Sequence, residues 1–379
     1  MKRDALQCLR LRQGVTAASS RSCSSLSERL NRELTTRKLP LFYDYLYPQP
    51  SHLLNLTLTD LFPNQQPFAL ESRTLPSIET TRHMAPGHHL VYFPPQVTLS
   101  QVLPDGTDIL HSPGAPFNRR LWAGGKVRFP TLSGPLLDGS RAVCLETIRG
   151  VTVKGLEGEE KIVVSIERRM GVVKEREEEH KIRERIWTEN EEENGQASVI
   201  ETRNLIFMRE KTQEQLEKEK KNFEENKRNI KCALRFDSCY GNRMILTLLL
   251  LSKAPSDAEF CQKIRPNKSL LFRFSALTFN AHLIHLDKTY TQQIEGYRNL
   301  LVHGPLTLTL LLTAMQGHLQ SRHFIKDIEY RNLAPLYVDE ELTVCGKPKI
   351  GRRTGAWDVW IEGSQGGLAV RGTVQTGAV

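Results

Sequence analysis

The chain has 379 residues, 39% of them hydrophobic and 25% charged, enough apolar material for two packed units or for one unit built twice. Its net charge of +9 does not describe a nucleic-acid binder, because Lys2, Arg3, Arg10, Arg12 and Arg21 against Asp4 crowd the N-terminus and the remainder forms no basic stripe with aromatics. The longest apolar run, 244–251, falls well short of the roughly 18 residues that a bilayer span requires. The seven cysteines include no CxxC pair and no metal-like spacing, which predicts free thiols in a reducing compartment.

Residues 1–25 are Arg- and Ser-rich, poor in acids, and lack the apolar core of a secretory signal. Ala5, Leu6, Leu9 and Leu11 gather on one side of a helix, so the segment reads as a mitochondrial transit peptide, the alternative being a disordered basic tail. Further on, Leu53, Leu54, Leu56, Leu58 and Leu61 suit a short helix or a strand equally well. His88 and His89 read as polar residues of an edge strand. Pro104-Asp105-Gly106 and Pro113-Gly114 are turn signals. Residues 118–130, NRRLWAGGKVRFP, read as a turn entering a strand. There Arg119, Arg120 and Lys126 are either contacts for the phosphates of an anionic ligand or ordinary solvated charges.

Strands dominate 124–173, and the C-terminal segment repeats their order. Pro135-Leu136 is matched by Pro335-Leu336, and Val143-Cys144 by Val344-Cys345. Two related antiparallel units are expected, the first closing with 200–208. Between them, 174–194 is a hairpin tip or a solvated helix. In 209–229 the thin stripe begun by Leu216 and Phe223 predicts an exposed helix or linker rather than a coiled coil. The apolar piece 232–256 has no functional account.

The chemistry concentrates in 271–319, LFRFSALTFNAHLIHLDKTYTQQIEGYRNLLVHGPLTLTLLLTAMQGHL. Alternation over 270–278 predicts a strand, and the turn 279–287 would gather Asn280, His282, His285 and Asp287. Residues 290–298 read as polar loop, with Tyr297 and Arg298 either substrate contacts or plain loop residues. Gly304-Pro305 suits a helix start with unspent backbone N–H groups, and 306–319, apolar almost all round, predicts a buried helix. Such an N-terminus can polarise a carbonyl. HLIHLD could also hold a metal, but no third ligand stands at a suggestive spacing.

SALTFNAHLIHLD followed by LLVHGPL resembles the catalytic segment of the MaoC-like dehydratases. Together with NRRLWAGGKVRF and WDVWIEG it is similar to the type 2 hydroxyacyl-thioester dehydratases, a branch related to mesaconyl-C4-CoA hydratase. The resemblance implies an α+β double hot dog: two antiparallel sheets, each wrapping a buried helix, with the first helix open to degeneration. The implied division is 1–25 presequence, 40–209 N-terminal half, 210–255 charged insert and 256–379 catalytic half. In the family pattern D-x-N-P-x-H, Asn280 stands at the Asp position and His282 at the Asn position, while His285 matches. An amide orients a water but cannot take its proton.

The implied catalytic residues are His285, Asn280 and His282, with Gly304, His303, Tyr297, Arg119 and Arg120 serving the oxyanion and the substrate. The implied reaction is reversible dehydration of (R)-3-hydroxyacyl thioesters, on carrier protein or CoA, for fatty acid synthesis in the mitochondrial matrix. It needs no metal or organic cofactor. The alternatives are a short-chain enoyl-CoA hydratase of the mesaconyl-CoA type and a non-catalytic acyl-thioester-binding protein. A chain that pairs its own halves is expected to be a monomer or a homodimer, without nucleic acid or a membrane span.

Overall fold

A computed structural model describes residues 25–63, 74–80, 82–131, 134–218, 254–319, 323–349, 351 and 355–378. The expected presequence up to residue 24, and the insert over 219–253, lie outside these residues.

Alternating buried and part-buried positions along the long strands, clearest at the start of β4, give each strand one face for the core. The strands in chain order are β1 (Leu41–Tyr45), β2 (Arg119–Arg128), β3 (Arg141–Lys154), β4 (Lys161–Val172) and β5 (Val199–Met208), then β6 (Phe260–Ile264), β7 (His323–Asn332), β8 (Leu342–Pro348), β9 (Ala356–Glu362) and β10 (Leu368–Ala378). They form one antiparallel 10-stranded sheet in the order β1-β3-β4-β5-β2-β7-β10-β9-β8-β6. Each half of that order is the other read backwards, so β3 and β8, which carry the two Val-Cys pairs, are equivalent. The halves join where β2 pairs with β7, from Gly124 opposite Arg331 to Arg128 opposite Asp327. Gly124 has φ +127°, and a Cβ there would lie 2.2 Å from the Tyr330 carbonyl oxygen, so the seam admits only glycine.

The helices include α1 (25–35), α2 (Pro48–Leu58), α3 (Glu179–Ile186), α4 (Lys268–Leu277), α5 (Lys288–Gln293) and α6 (Gly304–Leu319). Residues 213–218, for which the sequence leaves a helix or a linker open, are helical too, with Leu216 buried. α6 is the buried helix expected from the sequence. Leu306, Leu308, Leu310 and Leu312 are fully enclosed, packed in one core with Val127, Ile328, Val344, Val359 and Val374. Burying each leucine contributes about 1.5–3 kcal/mol, which offsets the unremarkable helix propensity of the threonines between them. Proline at the start of α2 and the buried Leu54 and Leu58 settle the ambiguous leucine run as helix.

Two expected elements of the second half differ. The 270–278 segment is the helix α4 rather than a strand, because the Asn267 side chain accepts the Leu270 N–H at 2.9 Å and caps it. The buried residues Leu270, Leu271 and Phe274 follow helical spacing, whereas Phe272, which created the apparent alternation, is 65% exposed. Residues 290–293, expected as loop, belong to α5.

In the first half, between α2 and β2, the described residues hold no long helix; past the 3₁₀ turn Thr59–Leu61 that ends α2 there are only short 3₁₀ turns at His88–Val91 and Leu99–Gln101. His88 and His89 lie in the first of these two, not on an edge strand. Both are buried, with His88 Nδ1 2.6 Å from Ser51 Oγ. α3 tucks Ile182 and Ile186 against Val143, Val173 and Ile200, which places 179–186 as a packed helix. No helix among the described residues is long and apolar enough to cross a membrane.

Candidate active site

The turn after α4 is built by short hydrogen bonds. The Asn280 N–H donates to the Ser275 carbonyl at 2.8 Å, and its side-chain oxygen accepts the His282 N–H at 3.0 Å, an Asx turn. One 3₁₀ turn, Leu283–His285, then presents His285. His285 Nδ1 lies 2.8 Å from the Leu301 carbonyl, which can only accept, so the ring proton sits on Nδ1 and Nε2 keeps its lone pair. Burial lowers the His285 pKa to about 4, with the Leu301 hydrogen bond opposing the shift and Arg120 adding to it. The ring is therefore neutral near pH 7 and competent as a base.

His303 backs this ring. The two imidazoles stack with centroids 3.7 Å apart, and His303 Nε2 is 2.8 Å from Ser275 Oγ. His282 meets His285 edge-on, with centroids 5.4 Å apart at 83°. Burial, then the neighbouring imidazoles, pushes both His282 and His303 well below the ordinary histidine value, with Arg120 adding to the shift at His282.

The His303 carbonyl accepts the Thr307 N–H at 3.0 Å, which makes His303 the N-cap of α6 and Gly304 its first residue. The Gly304 N–H therefore has no intrahelical acceptor, and Pro305 offers no competing donor. A Cβ on Gly304 would lie 2.7 Å from Trp122 Cβ and 3.0 Å from Asn332 Nδ2, so close packing on β2 and β7 demands glycine. Asn332 donates to the Trp122 carbonyl at 3.0 Å and accepts from Thr307 Oγ1 at 3.2 Å, fixing the helix end at the seam between the halves.

These parts open on a cavity of about 630 Å³, within the usual range for small-ligand sites. Asn280, His282, His285, Tyr297, Gly304 and Arg120 line it, whereas His303 and Arg119 do not. For Arg119 the sequence leaves a contact to an anionic ligand and a solvated charge both open. Instead it is buried in an ion pair with Glu295, at 2.7 Å, so its charge ties β2 to the loop before α6. Arg120 reaches the cavity but is held by Asp108 at 3.1 Å, and Lys126 faces Glu192 at 3.7 Å. Asp287 caps α5 by accepting the Tyr290 N–H and is exposed, so it does not join the histidines. Arg298 pairs with Glu340.

The first half contributes more than its sequence announces. The Pro104-Asp105-Gly106 turn is pressed onto the 280–285 turn: the Leu283 N–H donates to the Asp105 carbonyl at 2.8 Å, and a Cβ on Gly106 would meet the Ala281 oxygen at 2.0 Å. On the cavity wall, β3, β4 and β5 bring Glu146 opposite Arg168 and Arg168 opposite Glu201. Arg168 bridges both carboxylates at 2.5 and 3.1 Å, and His111 Nε2 lies 2.9 Å from Glu146. Burial would raise the Glu146 carboxyl, but Arg168 and His111 outweigh it and hold it well below the usual range. The sequence signal is a carboxylate, or carboxylate and arginine together, set among the apolar residues of three strands, in LETI, IERR and IETR.

The hydroxyacyl-thioester dehydratase type 2 family matches residues 87–239 and 250–338. The mitochondrial type 2 hydroxyacyl-thioester dehydratase of Schizosaccharomyces pombe is 26% identical over 271 residues, covering 69% of this chain and 77% of that protein. The mesaconyl-C(4)-CoA hydratase of Chloroflexus aurantiacus is 42% identical over 123 residues, which span 32% of this chain and only 42% of that relative. Among solved structures, a MaoC-like dehydratase from Phytophthora capsici superposes with a TM-score of 0.55 at 11% identity, covering 91% of this chain and 98% of that one, a likeness of fold. The chain belongs to the hydroxyacyl-thioester dehydratase type 2 family, hydro-lyases of the MaoC-like hot dog fold.

Proposed function

We propose that the chain interconverts (R)-3-hydroxyacyl and trans-2-enoyl thioesters in mitochondrial fatty acid synthesis, with His285 as the acid/base residue. The observation that carries this reading is the His285 imidazole, its Nδ1 held by the Leu301 carbonyl, lining the same cavity as Gly304 at the start of α6.

In the dehydration direction His285 Nε2 takes the Cα proton, and the C–H electron pair moves toward the thioester carbonyl. The charge gathering on the carbonyl oxygen meets the Gly304 N–H and the helix N-terminus, where one such donor contributes about 10²–10³ in rate. The imidazolium then passes its proton to the Cβ hydroxyl as the Cβ–O bond breaks, and water leaves. Proton transfer by a placed histidine contributes about 10²–10⁴. Asn280 serves by holding the departing oxygen through its amide, since an amide cannot exchange the proton. His303 and Ser275 hold the His285 ring plane.

The mitochondrial address is supported by the basic, Ser-rich N-terminus and by the mitochondrial proteins among the relatives. Carrier protein and CoA are both proposed as thioester donors, with the matrix as the site of action. A short, polar acyl group is the second reading, favoured by the charged Glu146–Arg168 wall that faces the cavity. Hydration of crotonyl-CoA, followed as loss of enoyl absorbance, tests both readings, with longer enoyl-CoAs and mesaconyl-type substrates in parallel. Turnover that rises with chain length supports the fatty acid reading, and turnover confined to dicarboxylic substrates supports the second. Absence of turnover on every thioester contradicts the enzyme and leaves a binding protein.

A further inference from the structure

We infer that Asp105 is a positioning residue for this chemistry: its carboxylate fixes the proton of His282 on Nε2, turning the Nδ1 lone pair toward the cavity. The inference rests on the proposed reaction at His285 and adds a residue that the 280–285 motif does not contain.

Asp105 reaches the site from the first half, on the turn that Gly106 presses against Ala281. It is 3% exposed, and its Oδ1 accepts both the Thr107 N–H, at 2.9 Å, and the Thr107 hydroxyl, at 2.7 Å. Those two bonds fix the carboxylate plane and aim Oδ2. Oδ2 and His282 Nε2 are both enclosed, neither has another partner, and they stand 3.6 Å apart. A buried carboxylate oxygen without a donor costs about 1–3 kcal/mol or more, and a proton on His282 Nε2 is the relief nearest to hand. The separation is slightly beyond hydrogen-bond length. Catalytic hydrogen bonds of ligand-free enzymes commonly shorten when substrate binds.

The consequence lies at Nδ1, which is not among the enclosed unpartnered atoms although His282 lines the cavity. With Nε2 protonated, Nδ1 accepts. The reacting water or β-hydroxyl then gives one hydrogen to His282 Nδ1, gives or receives the transferred proton at His285 Nε2, and accepts from the Asn280 amide. All its hydrogen bonds are accounted for without a carboxylate at position 280. Asp105 thus supplies the missing acid at one remove, through an imidazole, and no net proton moves to it.

Steady-state hydration of crotonyl-CoA by the full chain tests this with Asp105→Asn, His282→Ala, their combination and His285→Ala. In Asp105→Asn the amide oxygen can keep the Thr107 donors while its NH2 faces Nε2. That reverses the His282 tautomer and presents an N–H to the water. The expected result is a kcat about a hundredfold lower with KM within about threefold, and a double variant no slower than His282→Ala alone. A kcat within about threefold of wild type, or two losses that simply multiply, overturns the inference. Should Asp105→Asn not fold, 15N-histidine spectra of the wild-type protein decide, with His282→Gln locating the signal. A proton on Nε2 of His282 supports the inference and a proton on Nδ1 overturns it. A His285→Ala enzyme with wild-type turnover removes the acid/base assignment itself, while the tautomer still decides whether Asp105 sets His282.

Discussion

In the second half of the sheet, β7–β10 share one core with α6, whose Leu308, Leu310 and Leu312 have no exposure. In the first half, the equivalent strands β2–β5 face the cavity, and their inner side carries Glu146, Arg168 and Arg203 beside Ile166 and Leu205. Strand order is the same in mirror image, so the difference lies in the connection between the second helix and the seam strand. One copy spends that connection on a packed helix whose N-terminus is a donor. The other spends it on short turns that leave the cavity open and bring Asp105 and Gly106 against the 280–285 turn. Duplication separates two demands that a single hot dog must meet at once: a rigid core and an open pocket.

The contrast can be broken from either side. The largest stability effect is expected from Arg168→Ala in the first half, which leaves Glu146 and Glu201 buried without their shared cation. A loss of about 3–5 kcal/mol is predicted in urea unfolding. At the seam, Gly304→Ala forces a Cβ to within 2.7 Å of Trp122 and displaces the helix end, so kcat should fall about 10²–10³-fold. Circular dichroism should show the fold retained.

Within the second half, Leu310→Ala opens a void in the packed helix and should cost about 2–5 kcal/mol. Leu90→Ala, on the cavity wall of the first half, should fall at or below the bottom of that range because the space beside it is already open. Equal losses in thermal unfolding would erase the distinction between the halves.

The smallest effect is on pH. Burial, their largest influence, lowers His88, His89 and His285 to about 4, and unfolded histidines titrate near 6.5. The unfolded chain therefore binds more protons between those values. Stability is full above about pH 6.5 and declines as pH falls toward 4, by at most about 1.4 kcal/mol per unit for each group. Melts at pH 7.5, 6 and 5 check the sign. A melting temperature that rises on acidification contradicts it.

What could be read in advance was local in sequence. α6 announced itself because an unbroken apolar run after Gly-Pro has one interpretation. His285, His282 and Asn280 stood within six positions, inside a motif. The Pro-Leu and Val-Cys matches marked the duplication because β3 and β8 kept their places. A single exposed phenylalanine at position 272 gives α4 the alternation of a strand, and the capping Asn267 is the local signal that decides for a helix. Asp105 looked like an ordinary turn residue, and Arg119 looked like a free cation. The partners that define them, His282 and Glu295, arrive from the other half of the chain. Pairings across such distances are set by the seam between β2 and β7, which no local pattern encodes.

The most direct test of the central claim is the turnover of crotonyl-CoA by wild-type protein and by His285→Ala, measured on samples with matching melts. A fall in kcat of about 10²–10⁴-fold, with substrate binding kept, is predicted for a neutral imidazole acting as the acid/base group. Unchanged turnover in His285→Ala would place the chemistry elsewhere in the cavity and contradict the account.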